Sequence, residues 1–180
     1  ISQTERITGK NLTLPVLNSI LFIASENTLR LRAMNLNLGI EVKIPAKIET
    51  EGILAVSGGV LNNVFSNINQ NENILLEGFD GNLFIKSKKS EIKIKGQQSD
   101  DFPTIPIVEG DTFEINSKKF IEGIKSVYYS ASVSDIKPEI SSVYIYSNED
   151  QVFFVSTDSF RLAEKIVKLK KVLDIYNVII

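Results

Sequence analysis

One stretch of the chain, residues 138–167, has a counterpart earlier in the sequence, and this repetition restricts the possible folds more than any other feature. The stretch reads as three strands, about 140–147, 152–157 and 161–168, with the polar turn Ser147-Asn148-Glu149-Asp150 between the first two. Moved back by 123 positions it lands, without a gap, on residues 15–38. Pro138 falls on Pro15, Ser142 on Ser19 and Glu149 on Glu26. Ile140, Val143, Ile145, Val152 and Phe154 fall on Leu17, Ile20, Phe22, Leu29 and Leu31. The identities are few, but the order of proline, apolar strand, acidic polar turn and apolar strand is kept. A spacing this long points to repeated domains and not to a solenoid of short units.

The rest of the chain supports strands with interspersed helices. Residues 14–24 are rich in Leu, Ile and Phe and predict a well-buried strand. Residues 28–34 alternate Leu29, Leu31 and Ala33 against Arg30 and Arg32, the pattern of a half-exposed strand. Residues 39–45 and 51–56 continue the sheet. Ser57 is placed to cap a helix through about 69, with Val60, Leu61, Val64, Phe65 and Ile68 on one face. Three short strands follow at 73–77, 82–87 and 91–95, the first two joined at Asp80-Gly81. Residues 97–110 carry turn formers and two prolines and predict a domain boundary. Beyond it come a strand at 111–115 and a helix capped by Asn116 or Ser117 and running to about 130, its apolar face made by Phe120, Ile121, Ile124 and Val127. This order predicts an α+β fold with helices on one face of an antiparallel sheet.

Composition excludes several functions. There are no cysteines, hence no disulfide framework and no thiolate zinc site, and no histidines, the usual residue of triads, proton shuttles and many metal sites. No metal or cofactor is expected. No signal peptide or apolar run of membrane-spanning length is present, so the expectation is a cytoplasmic protein without a membrane partner. The net charge of −2 argues only weakly against nucleic acid, which usually selects basic proteins, because positive charge can be gathered on one surface of an acidic protein.

Leu14-Pro15-Val16-Leu17, then Asp101-Phe102-Pro103, then Thr157-Asp158-Ser159-Phe160-Arg161-Leu162-Ala163 resemble, in order and over nearly the whole chain, the beta sliding clamps of bacterial DNA polymerase III. The Thr-Asp-x-x-Arg-Leu-Ala string is the most specific part. The resemblance implies the DNA-clamp fold: repeated domains, each an antiparallel sheet with two helices on one face. It implies a first clamp domain at 1–108 without its opening strand, an incomplete second at 109–180 and an absent third, and so a fragment. The implied function is a non-enzymatic processivity factor. Two subunits close a homodimeric ring around double-stranded DNA without sequence preference, and an outer pocket holds polymerase and clamp-loader peptides.

Residue by residue, the resemblance implies that Lys10, Asn11, Lys118, Lys119, Lys125 and Lys137 face the phosphate backbone. A solvated helix face is an equally good account of any one lysine. Clamps often carry basic residues where this chain has Gly58, Gly59 and Val60, which thins the positive lining of the first repeat. Ile140, Thr157, Ser159, Phe160, Arg161 and Leu162 match positions that form part of the peptide pocket, with core packing as the alternative for Ile140 and Leu162 and, to a lesser degree, for Phe160. Clamps commonly have Gly-His where Ser159-Phe160 stands. Asp158 beside Arg161 predicts a turn cap or ion pair and a poor general base; Asp100-Asp101 predicts a turn and not a metal site. The competing readings are an unrelated α+β enzyme, which would need a concave site with perturbed carboxylates, and a clamp-like domain retained only to bind peptides.

Overall fold

The computed structural model describes residues 1–9, 14–35, 38–69, 72–97, 99–105, 114–134, 136–169 and 177–180. It divides into two compact units, Ile1–Ile107 and Val108–Ile180. The first contains α1 (Ser2–Glu5), β1 (Ser19–Ser25), β2 (Thr28–Met34), β3 (Gly39–Pro45), β4 (Gly52–Ser57), α2 (Gly58–Ser66), β5 (Leu75–Phe79), β6 (Asn82–Lys86) and β7 (Glu91–Gln97). Its strands form one antiparallel sheet in the order β3-β2-β1-β4-β7-β6-β5.

Alternation along the strands decides what this sheet buries. Ile20 and Phe22 of β1, Leu31 and Ala33 of β2 and Val56 of β4 point to one face, where Leu61 of α2 and Ile1 and Ile7 from the α1 region close over them. Both helices therefore cover the same face, as expected. Leu21 and Ala55 point the other way and are covered by Val16 and Phe102. Asp80 and Gly81 both have positive φ, 48° and 67°, the backbone that a two-residue hairpin of matching twist requires.

The second unit contains α3 (Ser117–Val127), a 3-10 turn Tyr128–Ser130, and β8 (Tyr144–Asn148), β9 (Gln151–Thr157), β10 (Leu162–Lys168) and β11 (Asn177–Ile179), paired in the order β10-β9-β8-β11. Asn116 caps α3: its Oδ1 accepts from the backbone N–H groups of Lys118 at 3.1 Å and Lys119 at 3.4 Å. The helix buries Phe120, Ile124 and Val127 against Val143, Ile145, Val152, Phe154, Ala163 and Val167.

The repetition seen in sequence extends to strand register. Lowering both numbers by 123 carries the pair Asn148↔Gln151 onto Ser25↔Thr28, and Gln151↔Lys168 onto Thr28↔Pro45. β9 and β10 thus occupy the places of β2 and β3 with no slip. β11 stands in the place of β4, displaced by one residue: Val178 pairs with Ile145 where Leu54 pairs with Phe22.

Several expectations are corrected. Residues 15–18 form a 3-10 turn, and β1 begins only at Ser19, because Pro15 has no N–H for a ladder and Leu17 N donates to Leu14 O at 3.0 Å. The strand expected at 140–147 begins at Tyr144. Ahead of it, Ile140 N and Ser141 N both turn back to Lys137 O, and the Ser141 and Ser142 hydroxyls donate to Pro138 O. Ser57 precedes α2 but its side chain makes no capping bond, and Val60 is 45% exposed, outside the apolar face. Ile121 is 51% exposed, because the buried stripe of α3 runs Phe120, Gly123, Ile124, Val127 at helical spacing and Ile121 lies off it. The strand expected at 111–115 falls largely outside the described residues; Glu114 and Ile115 are not in a strand.

Gly123 shows how tightly α3 seats. A Cβ there would lie 2.5 Å from Cε2 of Phe154, whose ring is fully buried and meets Phe120 edge-on at 5.8 Å between centroids. In an exposed helix, Gly→Ala gains about 1 kcal/mol. Here overpacking, at about 1–3 kcal/mol, opposes that gain. Gly123→Ala is expected to lower the melting temperature of the second unit, and Phe154→Leu added to it to recover part of the loss. A higher melting temperature for Gly123→Ala alone would contradict the packing.

Candidate nucleic-acid and peptide interfaces

α3 places its lysines by the same periodicity that buries Phe120 and Val127. Lys118 and Lys125 are exposed and make no ion pair among the described residues. Lys119 is exposed too, but its Nζ donates to Lys168 O at 2.7 Å, which ties the first turn of α3 to the end of β10. Between these lysines, Glu122 pairs with Lys165 at 2.9 Å. Lys137 is exposed in the turn before β8. Lys10 and Asn11 lie outside the described residues. In the first unit Gly58 is buried against Thr8, whereas Gly59 and Val60 are exposed. A basic side chain would thus reach solvent at the latter two positions but not at the first.

The 157–162 segment is a closed turn between β9 and β10. Thr157 Oγ1 donates to Arg161 O at 2.7 Å and accepts from Ser159 N at 3.1 Å. Asp158 Oδ1 accepts from the backbone N–H groups of Phe160 at 3.0 Å and Arg161 at 2.9 Å, and Oδ2 accepts from Arg161 Nε at 3.0 Å. These backbone donors, with the Arg161 guanidinium, hold the Asp158 carboxyl below its ordinary range. Asp158 is therefore a turn cap and ion-pair partner, as its spacing suggested.

The turn's internal bonds use Thr157 Oγ1, both Asp158 carboxylate oxygens and Arg161 Nε, and the large side chains left outside include two apolar ones. Phe160 is 97% exposed and Leu162 67%. Phe160 is thus not a core residue, and Leu162 is not one either. Ile140 and Thr157 are half-buried, while Ser159 and Arg161 are exposed. Register brings part of the set together: Leu162 is paired with Thr157, and Tyr144, which follows Ile140 in the chain, is paired with Val155. Tyr144, 39% exposed, shares the sheet face of Thr157 and Leu162. Sequence reasoning passed over it, although alternation along β8 would have found it.

The chain matches two family profiles: DNA polymerase III beta subunit, N-terminal domain, over residues 1–106, and the central domain of the same subunit over residues 114–180. A beta sliding clamp of Synechocystis sp. is 30% identical over 172 residues, 91% of this chain and 44% of that protein. The clamp of Synechococcus elongatus is 27% identical over 152 residues, 83% of this chain and 40% of that one. The chain thus spans about half the length, or less, of the curated relatives it matches. Among solved structures, a putative DNA polymerase III beta subunit from Eubacterium rectale superposes with a TM-score of 0.90 at 24% identity, covering 98% of this chain and 48% of its own. The DNA polymerase III subunit beta of Pseudomonas aeruginosa also gives 0.90, at 20% identity, covering 99% and 49%. These likenesses establish the fold. Among the described residues, no helix is long and apolar enough to cross a membrane, and no group of three potential metal ligands occurs.

Ser159 carries a measurable strain. Its φ is +76°, a left-handed conformation that costs a side-chain-bearing residue about 1–2 kcal/mol. Glycine would remove that cost and forfeit about 0.4–1 kcal/mol through its freer unfolded chain. Ser159→Gly is expected to raise the melting temperature of the second unit slightly. A fall in thermal melts would show that the Ser159 side chain contributes more than its strain costs.

Proposed function

The chain belongs to the DNA polymerase III beta subunit family, and we propose that it forms part of a ring-shaped processivity factor that encircles duplex DNA. In this reading, residues 1–108 and 109–180 contribute a first and a second clamp domain. The work is topological and not catalytic: a closed ring need not grip the duplex, and it raises the effective concentration of whatever is tethered to it. Polymerase and clamp-loader peptides are the tethered partners, two subunits complete the ring, and the setting is the cytoplasm.

The observation that carries this reading is the duplicated meander, β1–β3 and β8–β10 in identical register, within a chain matched by successive domains of one family. The ammonium groups of Lys118 and Lys125, unpaired among the described residues, support with Lys137 a positive surface for phosphates. Their spacing is too sparse for tight binding, which suits sliding. The protein containing this chain, loaded by its clamp loader onto nicked circular DNA, is expected to stay bound until the circle is linearised. Alanine at Lys118, Lys125 and Lys137 should weaken its association equally on any duplex and flatten its salt dependence. Release from intact circles as fast as from linear DNA would overturn the reading.

The peptide site is proposed at Ile140, Thr157, Ser159, Phe160, Arg161 and Leu162. Phe160 and Leu162 supply apolar surface on a turn held by the internal bonds of Thr157 and Asp158. Because the Phe160 ring is exposed, Phe160→Ala should leave the melting temperature nearly unchanged, as surface substitutions do, within about 0.5 kcal/mol. It should weaken a polymerase tail peptide by about tenfold or more in calorimetric titration. Unaltered affinity would remove Phe160 from the site.

A further inference from the structure

We propose that the sheet face of the first unit opposite its helices binds an acidic peptide, its carboxylate on Arg30 and Lys43 and an adjacent apolar side chain against Ile23 and Ile53. Strand pairing sets these four residues in one row: Ile23 is opposite both Ile53 and Arg30, and Arg30 is opposite Lys43. In the next row Arg32 pairs with Glu41, and Lys43 Nζ lies 3.8 Å from the second oxygen of Glu41. Three cations thus surround one carboxylate, and Arg32 already holds it. Arg32 foremost, then Lys43 and Arg30, draw the Glu41 carboxyl below its ordinary range against the opposing effect of burial.

Arg30 is the unmatched member. Its Nε is buried and has no hydrogen-bond partner among the described residues. A donor taken out of water without an acceptor is unfavourable, and a guanidinium is shaped to give two parallel bonds to one carboxylate. The fold itself does not require arginine here. The second unit repeats the meander in the same register, with Phe153 in the place of Arg30, Val155 in that of Arg32 and Ile166 in that of Lys43. There Phe153 stacks on Tyr146 with centroids 4.6 Å apart and planes 5° from parallel. One scaffold closes this face with stacked rings and, in its other copy, leaves it cationic.

The occupant's chemistry follows from the surroundings. Ile53 is 59% exposed, so apolar surface adjoins the charges. Segment 99–105 shields the neighbouring rows, with Phe102 on Leu21 and Ala55, and Ile105 within 3.3 Å of where a Gly39 Cβ would stand; in this row Lys43 and Ile53 are exposed, and Ile23 and Arg30 half-buried. At the turn end of the sheet Glu51 accepts from the Glu26 backbone, so two acidic residues stand there. A nucleic-acid backbone needs cations at successive phosphates and would meet these glutamates; one carboxylate beside one apolar side chain fits what is present. The inference goes beyond the clamp reading and does not depend on it.

A random linear peptide library selected on the 180-residue chain carrying Phe160→Ala, in which the 157–162 turn is weakened as a competing peptide site, tests it. Selected peptides are expected to carry Asp or Glu next to Leu, Ile, Val or Phe. Their affinity should fall about tenfold or more for Arg30→Gln and less for Lys43→Gln. Arg30→Phe, which installs the residue of the second unit, should retain the melting temperature and lose the peptides, so that lost binding is not lost folding. Peptides that bind the chain and Arg30→Gln alike, or that lack an acidic residue, would overturn the proposal. So would a thymidine oligonucleotide that binds in an Arg30-dependent way more tightly than any selected peptide.

Discussion

A one-residue slip of β2 would turn Leu31 and Ala33 out to solvent and press Arg30 and Arg32 under the helices. The same slip in β9 would expose Phe154 and bury Phe153. Because side chains alternate across a strand, register and burial are a single choice, and the apolar set on one face makes that choice steep. Leu31 and Phe154 are almost completely buried, so each slip would expose a whole side chain at roughly 1.5–3 kcal/mol, before the cost of burying its neighbour. Helix placement follows from register. α3 can approach β9 closely only because Gly123 has no side chain where the Phe154 ring sits.

The turn at 157–162 shows how a rigid site is built on such a sheet. Thr157 and Asp158 together accept three backbone N–H groups, and Thr157 also donates to Arg161 O. These bonds fix the turn, so Phe160 is held out by a fixed backbone and needs no packing partner of its own. This arrangement lowers the entropic cost of binding, because the apolar anchor is already in place. The left-handed Ser159 is a strain that the capped turn tolerates.

Electrostatics are local in both units. The overall charge of −2 conceals free ammonium groups on α3 and a cation cluster on β2 and β3. What matters at each place is whether a carboxylate is close enough to neutralise the cation. Glu122 does this for Lys165, and Glu41 for Arg32, but among the described residues neither forms an ion pair with Lys118, Lys125 or Arg30.

Alternation, turn formers and the offset of 123 residues were enough to read β2, β3, β9 and β10 within a residue or so, the Asp80-Gly81 hairpin, the Asn116 cap and the α+β class, because each rests on local chemistry. The Thr157–Ala163 string likewise marked the turn and its internal Asp158–Arg161 pair. Local reading failed where competing local bonds decided the outcome: after Pro15 and Pro138, hydroxyl and turn hydrogen bonds replaced the first residues of each expected strand. It failed also for Ile121 and Val60, since hydrophobic composition names candidates for a buried face but the contact with the sheet selects among them. The exposure of Phe160, the necessity of Gly123 and the Nε of Arg30, unpaired among the described residues, depend on atoms distant in sequence. The amino-acid order determined the strands, the turns and the repetition; tertiary packing alone decided which of their side chains were left facing outward, because that depends on what the opposing surface covers.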